Sequence, residues 1–222
     1  MNDLLKRVRA SPLLCRVVPF MIFVTLTALQ GKFGEASRYW IYAGKSVAGV
    51  FLVWVIWPAV KELRWKFSLE AVAVGVLVIV AWVGLDPYYR KFIDGGKPWN
   101  PHAQFGEGSG LAWFFVLARI AGSTFVVPPL EEMFYRSFMY RYMVKGDFDT
   151  VSLKQFHPWA FLLTSTLFGL THREWLAGIL CGMGYQWLVL RKGHLGDAMT
   201  AHAISNLLLG LWIVYQGAWQ FW

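Results

Sequence analysis

Apolar stretches long enough to cross a lipid bilayer as helices, roughly 20 residues each, recur along the whole chain. A further segment, 129–144, is shorter and amphipathic. A backbone inside a bilayer must satisfy its own hydrogen bonds, so each stretch is expected to be helical. The pattern predicts an all-α, polytopic membrane helix bundle of about 7–8 transmembrane helices, forming a single membrane-embedded domain over residues 1–222. The long stretches lie at about 12–30, 41–60, 69–86, 110–128, 157–171, 174–190 and 195–220.

The distribution of charge agrees with a membrane protein. Charged residues make up 15% of the chain, compared with about 25% in soluble domains. The net charge is +8, but the basic residues punctuate the apolar stretches instead of forming a patch, which argues against nucleic-acid binding. Outside the seven long stretches, and with Arg136 of the segment 129–144 set aside, eleven Lys and Arg residues fall on the side of the N-terminus and six on the other side. This bias predicts a multi-pass protein with a cytoplasmic N-terminus and the lipid bilayer as its surroundings.

A few polar residues remain at membrane depth, where each ionisable group costs about 2.5–3.5 kcal/mol and therefore needs a partner or a task. Arg16 and Lys45 lie close enough to the ends of their stretches to extend into the interface. Arg119 is expected to pair with a carboxylate that the sequence does not identify. The full set is Arg16, Lys45, Arg119, Glu131, Glu132, Arg136, His172, His202 and Asn206.

The segment PPLEEMFYR, residues 128–136, contains two adjacent glutamates. Glu132 and Arg136 are four residues apart, so a helix places them on one face as an ion pair. Glu131 points elsewhere, and a free carboxylate in apolar surroundings suits a general base. Pro128 and Pro129 are expected to break or kink the preceding helix, which would place both glutamates near a positive helix end. The alternative is that both glutamates only bind arginines and hold the bundle together.

Two further pairs of residues, each containing a histidine, have the four-residue spacing of one helical face. Phe168 in the fifth long stretch and His172 at its end are four residues apart, on one helical face, and His202 and Asn206 are four apart in the last stretch. A kinked helix through 110–142 would bring both pairs to a depth similar to that of Glu131. The sequence therefore permits one shared site.

Together these segments resemble the CAAX prenyl protease family, also called the CPBP family of intramembrane proteases. Glu131–Glu132 with Arg136 matches its EExxxR motif, Phe168 with His172 its FxxxH motif, and His202 with Asn206 its HxxxN motif. The resemblance covers a catalytic core at about residues 110–210. The chain is also similar to a bacterial group described as CAAX prenyl protease-related and found with exosortase sorting systems, which implies a bacterial inner (plasma) membrane.

The resemblance implies a role for each matched residue. Glu131 would activate a water that His172 helps to hold, and His202 and Asn206 would donate hydrogen bonds to the oxyanion. Glu132, Arg136 and Phe168 would support these groups, which act without a metal or other cofactor. A zinc site made of Glu131, His172 and His202 is the alternative, although the sequence has no HExxH motif.

The function expected from the resemblance is that of an intramembrane endopeptidase. It would hydrolyse a peptide bond near the terminus of a membrane-anchored substrate, either CAAX-like or sorting-tagged. One alternative is a non-catalytic scaffold, immunity or sorting protein of the same fold. Another is a transporter or proton-conducting bundle, but the sequence shows no inverted repeat.

Overall fold

A computed structural model describes residues 2–92 and 96–222, and over this part the chain forms helices joined by loops, with no strand. This architecture confirms the predicted all-α bundle. The α-helices are α1 (Asn2–Ala10), α2 (Pro12–Ala28), α3 (Ser37–Ile56), α4 (Leu69–Leu85), α5 (Pro101–Phe105), α6 (Gly110–Ala121), α7 (Val127–Glu132), α8 (Tyr140–Val144), α9 (Pro158–Leu170), α10 (Trp175–Lys192) and α11 (Gly196–Gln216).

The outer surface is that of an integral membrane protein. In the described part, four helical segments are long and apolar enough to cross a bilayer: Ser37–Ile56, Leu69–Tyr88, Gly110–Val144 and Gly196–Gln216. Large apolar side chains point outwards along these helices, for example Trp54, Leu77 and Leu117. Surfaces of this kind require a lipid environment or a partner. The helices α2 and α9 are apolar but shorter, and the predicted number of 7–8 spans is not confirmed.

The segment 110–144 is one continuous helix with two widened turns. The α-helical pieces α6, α7 and α8 are joined by π-helical turns at Gly122–Val126 and Met133–Met139. The helix does not end at Pro128 and Pro129, as one reading of the sequence expected, because the first wide turn accommodates their missing N–H groups. Both glutamates of the PPLEE segment therefore lie inside a continuous helix and not at a helix start.

Glycines allow two helix pairs to approach closely, as is typical inside membranes. A Cβ added to Gly178 of α10 would lie only 2.8 Å from the Cα of Gly169 in α9, so only glycine fits at this contact. A Cβ on Gly75 of α4 would meet the carbonyl oxygen of Ala201 in α11 at 2.7 Å. The helix that carries His202 is thus held directly against α4.

Arg16 does not extend into the membrane interface, which corrects the expectation from its position in the sequence. Its side chain is buried and forms an ion pair with Glu62, in the α3–α4 loop. Its Nε also donates to Ser137 Oγ at 2.7 Å, and Arg141 Nη2 reaches the same carboxylate at 3.2 Å. Burial raises the pKa of the Glu62 carboxyl, but the charge of Arg16 and the hydrogen bonds from Ser137 and Arg16 outweigh this and hold the pKa below its usual range.

The connection between the third and fourth apolar stretches, residues 86–110, contains local structure. A 3₁₀ turn covers Asp86–Tyr88, and the helix α5 begins where Asn100 Oδ1 accepts a hydrogen bond from the backbone N–H of His102 at 2.9 Å. Residues 93–95 of this loop lie outside the described residues.

A Gly75→Ala substitution should destabilise the protein because its new methyl group would collide with the backbone of α11. The matched control is Gly84→Ala in the same helix, where a Cβ meets nothing within 4 Å. The control should keep or raise the melting temperature in detergent, since alanine favours a helix by about 1 kcal/mol over glycine. Equal melting temperatures for the two variants would contradict the close approach of α4 and α11.

Glu62→Gln should lower the melting temperature near neutral pH by removing the charge that Arg16 and Arg141 share, a loss of about 1–2 kcal/mol. The folded-state pKa of Glu62 lies below its unfolded value of about 4.3. Its contribution is therefore present above that value and lost as the pH falls through the folded pKa. The gap between wild type and variant should therefore close as the pH falls below about 4.3.

The matched control is Glu70→Gln, which disrupts a solvent-exposed pair with Arg191 and Lys192. Exposed pairs contribute little, so this variant should melt like the wild type. A gap for Glu62→Gln that stays constant over the whole pH range would show that its carboxylate is not the stabilising group.

Candidate active site

Glu132 is the most deeply buried of the predicted site residues. Its carboxylate is fully enclosed and accepts a hydrogen bond from Arg136 Nε at 3.1 Å, the pairing that the spacing predicts. The second oxygen of Glu132 lies 3.0 Å from His202 Nδ1 in α11. The carboxylate of Glu132 therefore joins the continuous helix 110–144 to the last helix, α11.

Glu131, the neighbouring residue, has the opposite environment. Its carboxylate lines a cavity inside the bundle, and its Oε2 has no hydrogen-bond partner. The nearest cationic or ionisable nitrogen is His202 Nε2, at 4.0 Å. Glu131 thus lines the cavity with a carboxylate that accepts no hydrogen bond from a protein side chain, as a general base requires.

His202 is held in one orientation by contacts on two sides. Its ring stacks on Tyr185 of α10, with centroids 4.9 Å apart and planes 20° apart. Since a carboxylate only accepts, His202 Nδ1 must carry the proton that Glu132 binds. Nε2 then faces Glu131, as a lone pair in the neutral ring or as a donor in the imidazolium.

Asn206 lies one turn beyond His202, and its Nδ2 donates to the backbone carbonyl of Ser123 at 2.8 Å. That carbonyl lies in the first π turn, whose register pairs it with residue 128. Pro128 has no N–H, so the carbonyl is left for a side-chain donor. Asn206 supplies this donor and keeps one further amide hydrogen.

His172 does not lie within a helix, which corrects the expectation from its spacing. The helix α9 ends at Leu170, and His172 follows in the turn. Its Nδ1 lies 2.8 Å from the carbonyl oxygen of Phe168, and its ring is edge-on to Trp82 at 5.4 Å. Phe168 and His172 are still in contact, because the turn folds His172 back over the C-terminal end of α9.

A cavity of about 580 Å³ brings the predicted residues together, and its wall includes Glu131, His172, His202 and Asn206. Phe168 is buried against it, with its ring 4.9 Å from His172 and 6.1 Å from His202. The roles assigned to these residues stay predictions, whereas their common location is a property of the structure.

Sequence reasoning missed several groups at this cavity. Tyr185 has no motif and becomes visible only through its contact with His202. Lys45 was expected to extend into the interface and Arg119 to pair with a carboxylate, but both line the cavity. Arg119 contacts aromatic rings instead, with its Cζ 4.5 Å from the centroid of Trp99. The sequence did mark Lys45 and Arg119 as cations at membrane depth. Their surroundings could not be predicted, because the neighbouring residues come from distant parts of the sequence.

The three predicted zinc ligands, Glu131, His172 and His202, do not form a metal site. Among residues 2–92 and 96–222, no three His, Cys, Asp or Glu side chains are placed to share one metal ion. Glu131 and His202 face each other, and the contact of His172 Nδ1 with the Phe168 carbonyl leaves its Nε2 available. The three side chains are nevertheless not placed to share one ion, so their arrangement does not fit the predicted His₂Glu set.

Fold and site together define an integral membrane helix bundle with a polar site enclosed by apolar helices. Residues 111–208 match the model of the Rce1-like family, described as type II CAAX prenyl endopeptidase Rce1-like, so this part of the chain is similar to the CAAX prenyl protease family. The match includes all three motifs and confirms the resemblance. No curated protein and no solved structure is significantly similar to the chain.

The two adjacent glutamates should respond differently to the same substitution. Glu132→Gln leaves the buried Arg136 without a counter-charge, and breaking a buried pair costs about 3–5 kcal/mol. Glu131→Gln removes a charge that has no partner, so the melting temperature in detergent should stay the same or rise. Equal destabilisation by both substitutions would show that Glu131 also supports the fold.

Proposed function

We propose that the protein is an intramembrane endopeptidase in which Glu131 activates the attacking water. The observation that carries this proposal is the contrast between the two glutamates. Glu132 is saturated by Arg136 and His202, whereas Glu131 offers an unpartnered oxygen to a cavity inside the bundle. A carboxylate at membrane depth without a partner points to a task in the cavity.

The first step is the attack of water on the scissile carbonyl carbon. Glu131 accepts one proton of the water while its oxygen bonds to that carbon, and the carbonyl π electrons move onto the carbonyl oxygen. His172 helps to hold the water from the other wall of the cavity. The Nδ1 contact with Phe168 leaves His172 Nε2 as the nitrogen available for this purpose.

The second element is stabilisation of the resulting oxyanion. Asn206 keeps one amide hydrogen after its bond to Ser123, and His202 donates from Nε2 when its ring is an imidazolium. Glu132 on Nδ1 stabilises that imidazolium charge. Donors of this kind commonly contribute about 2.7–4 kcal/mol to the transition state.

Collapse of the tetrahedral intermediate completes the reaction. The oxyanion re-forms a carbonyl, the carbon–nitrogen bond breaks, and the departing amine takes the proton that Glu131 accepted. The products are a new carboxyl terminus and a free amine. All protons in this scheme are exchanged between Glu131, water and substrate, so the scheme requires no metal or other cofactor.

The substrate we propose is a protein anchored in the same membrane, cleaved close to its terminus. The resemblance supports a bacterial inner membrane as the location, and the charge bias supports a cytoplasmic N-terminus. In that orientation, the helix order puts the cavity wall formed by His172 and Trp222 near the non-cytoplasmic surface. This favours a sorting-tagged, exported protein over a cytosolic CAAX protein, in keeping with the exosortase-associated group.

The test uses purified wild type and Glu131→Gln in detergent, with a membrane-anchored reporter peptide and with or without a strong chelator. We expect the variant to lose cleavage by at least about 100-fold while it melts like the wild type, and we expect chelation to have no effect. Glu131→Asp serves as the matched control: it retains the carboxylate but moves it back, so partial activity is expected.

Cleavage that chelation abolishes and zinc restores would replace this mechanism with a metal-dependent one involving Glu131, His172 and His202. Cleavage unaffected by Glu131→Gln would contradict both schemes. A wild type that cuts none of several prenylated, lipidated and sorting-tagged reporters would favour the scaffold function instead.

A further inference from the structure

Three loops meet at the end of the bundle where α11 begins: the α3–α4 loop, the α8–α9 loop and the turn between α10 and α11. A Cβ added to Gly196 would lie 2.7 Å from the backbone nitrogen of Lys66. Thr200 Oγ1 donates to the Lys66 carbonyl at 2.6 Å. A Cβ added to Gly193 would lie 2.6 Å from Cε of Lys154. Two lysines from distant loops are therefore packed against the beginning of the helix that carries the HxxxN motif.

Lys66 and Lys154 form a lysine cluster with Lys192, the last residue of α10. Lys192 is paired with Glu70, with its Nζ 2.8 Å from the carboxylate. Lys66 and Lys154 are exposed, and in the described part of the chain no carboxylate oxygen lies within 4.0 Å of the Nζ of either. Two ammonium groups of the lysine cluster are thus available to an external anion.

His194 lies between the three lysines and reports their combined charge. Its Nε2 is 3.3 Å from the buried carboxylate of Asp197. Burial lowers the pKa of His194, and the charges of Lys66, Lys192 and Lys154 lower it further, against the opposing effect of Asp197. The fold therefore holds like charges near one another. A bound anion would relieve their mutual repulsion.

Large apolar side chains beside the lysine cluster are exposed. They come from the same two loops and from the beginning of α9, and the exposed fractions are 40% for Trp65, 73% for Phe67, 60% for Phe156 and 84% for Trp159. Exposed tryptophans at the ends of membrane helices mark the level of the lipid headgroups. The lysine cluster therefore lies at the level of the lipid phosphates, with apolar side chains next to it.

We propose that the lysine cluster binds the phosphodiester headgroup of an anionic phospholipid such as phosphatidylglycerol. Ammonium groups donate charge-assisted hydrogen bonds to phosphate oxygens, and the exposed aromatic side chains contact the acyl chains of the same lipid. A free phosphate ion would occupy the lysines but leave these aromatic side chains without a partner. The charge bias predicts that this end of the bundle is cytoplasmic, which is the side on which membranes carry negative surface charge.

The bound headgroup would bridge the α3–α4 loop and the α8–α9 loop across the beginning of α11. None of the three lysines belongs to the wall of the cavity that Glu131 lines. The lipid would therefore stabilise α11 from outside the candidate active site. This inference does not depend on the proposed peptidase function, because it concerns binding and stability alone.

The experiment follows the melting temperature of the purified full chain in a neutral detergent, with added dihexanoyl phosphatidylglycerol or with the phosphatidylcholine that has the same acyl chains. Phosphatidylglycerol should raise the melting temperature, and phosphatidylcholine should leave it unchanged. One basic residue near an anionic lipid contributes about fivefold in affinity. Lys66→Gln and Lys154→Gln should therefore each weaken the apparent affinity for phosphatidylglycerol by about that factor.

Two controls separate the lysine cluster from net charge and from loss of folding. Lys32→Gln removes an exposed lysine from the α2–α3 turn at the other end of the bundle, and its affinity for phosphatidylglycerol should equal that of the wild type. Lys66→Arg keeps the positive charge and should also bind like the wild type. Melting temperatures without added lipid verify that each variant is folded.

Equal stabilisation of the wild type by the two lipids would overturn the proposal. Unchanged affinity in the double variant Lys66→Gln, Lys154→Gln would do the same, as would an equal loss of affinity in Lys32→Gln. Inorganic phosphate that stabilises the protein as well as phosphatidylglycerol does would assign the lysine cluster to a free ion. Stronger stabilisation by hexaglutamate would assign it to an acidic protein segment. Either of these two results also refutes the lipid site.

Discussion

The carboxylate of Glu132 is the interaction on which the rest of the site depends. It is fully buried, and it binds Arg136 of its own helix and His202 of the last helix. Desolvating such a charge is expensive, and the arrangement holds only when both partners are in place. The orientation of His202 and the exposure of Glu131 to the cavity follow from this one residue. The interaction that stabilises the bundle also arranges the groups proposed for catalysis.

The two π-helical turns in the helix 110–144 likewise affect both the fold and the site. The first one absorbs Pro128 and Pro129, and it leaves the Ser123 carbonyl without a backbone donor. Asn206 fills that position and is thereby fixed at the cavity wall. π turns often occur at functional sites because they expose backbone groups that an α-helix would hide. Here the first π turn connects the helix 110–144, which carries the EExxxR motif, to α11, which carries the HxxxN motif.

Local spacing predicted the parts of the site that lie on one turn of helix. The pairing of Glu132 with Arg136 and the freedom of Glu131 follow from helical periodicity alone. Contacts between distant segments could not be predicted in this way. The bond from His202 to Glu132, the burial of Arg16 against Glu62 and the aromatic surroundings of Arg119 each join residues far apart in the chain. The turn that carries His172 was missed because the apolar stretch continues past the end of α9.

The buried charges of the protein fall into two groups, and the division marks where chemistry is expected. Arg16 and Arg136 have carboxylate partners and lie within the packed helices. Glu131, Lys45 and Arg119 have no partner of opposite charge within hydrogen-bond distance in the described part of the chain, and all three line the cavity. An uncompensated charge at membrane depth is tolerated where water or a ligand solvates it. The carboxylate of Glu131 and the side chains of Lys45 and Arg119 line the same space, so the cavity holds charged groups of both signs inside a bundle of apolar helices.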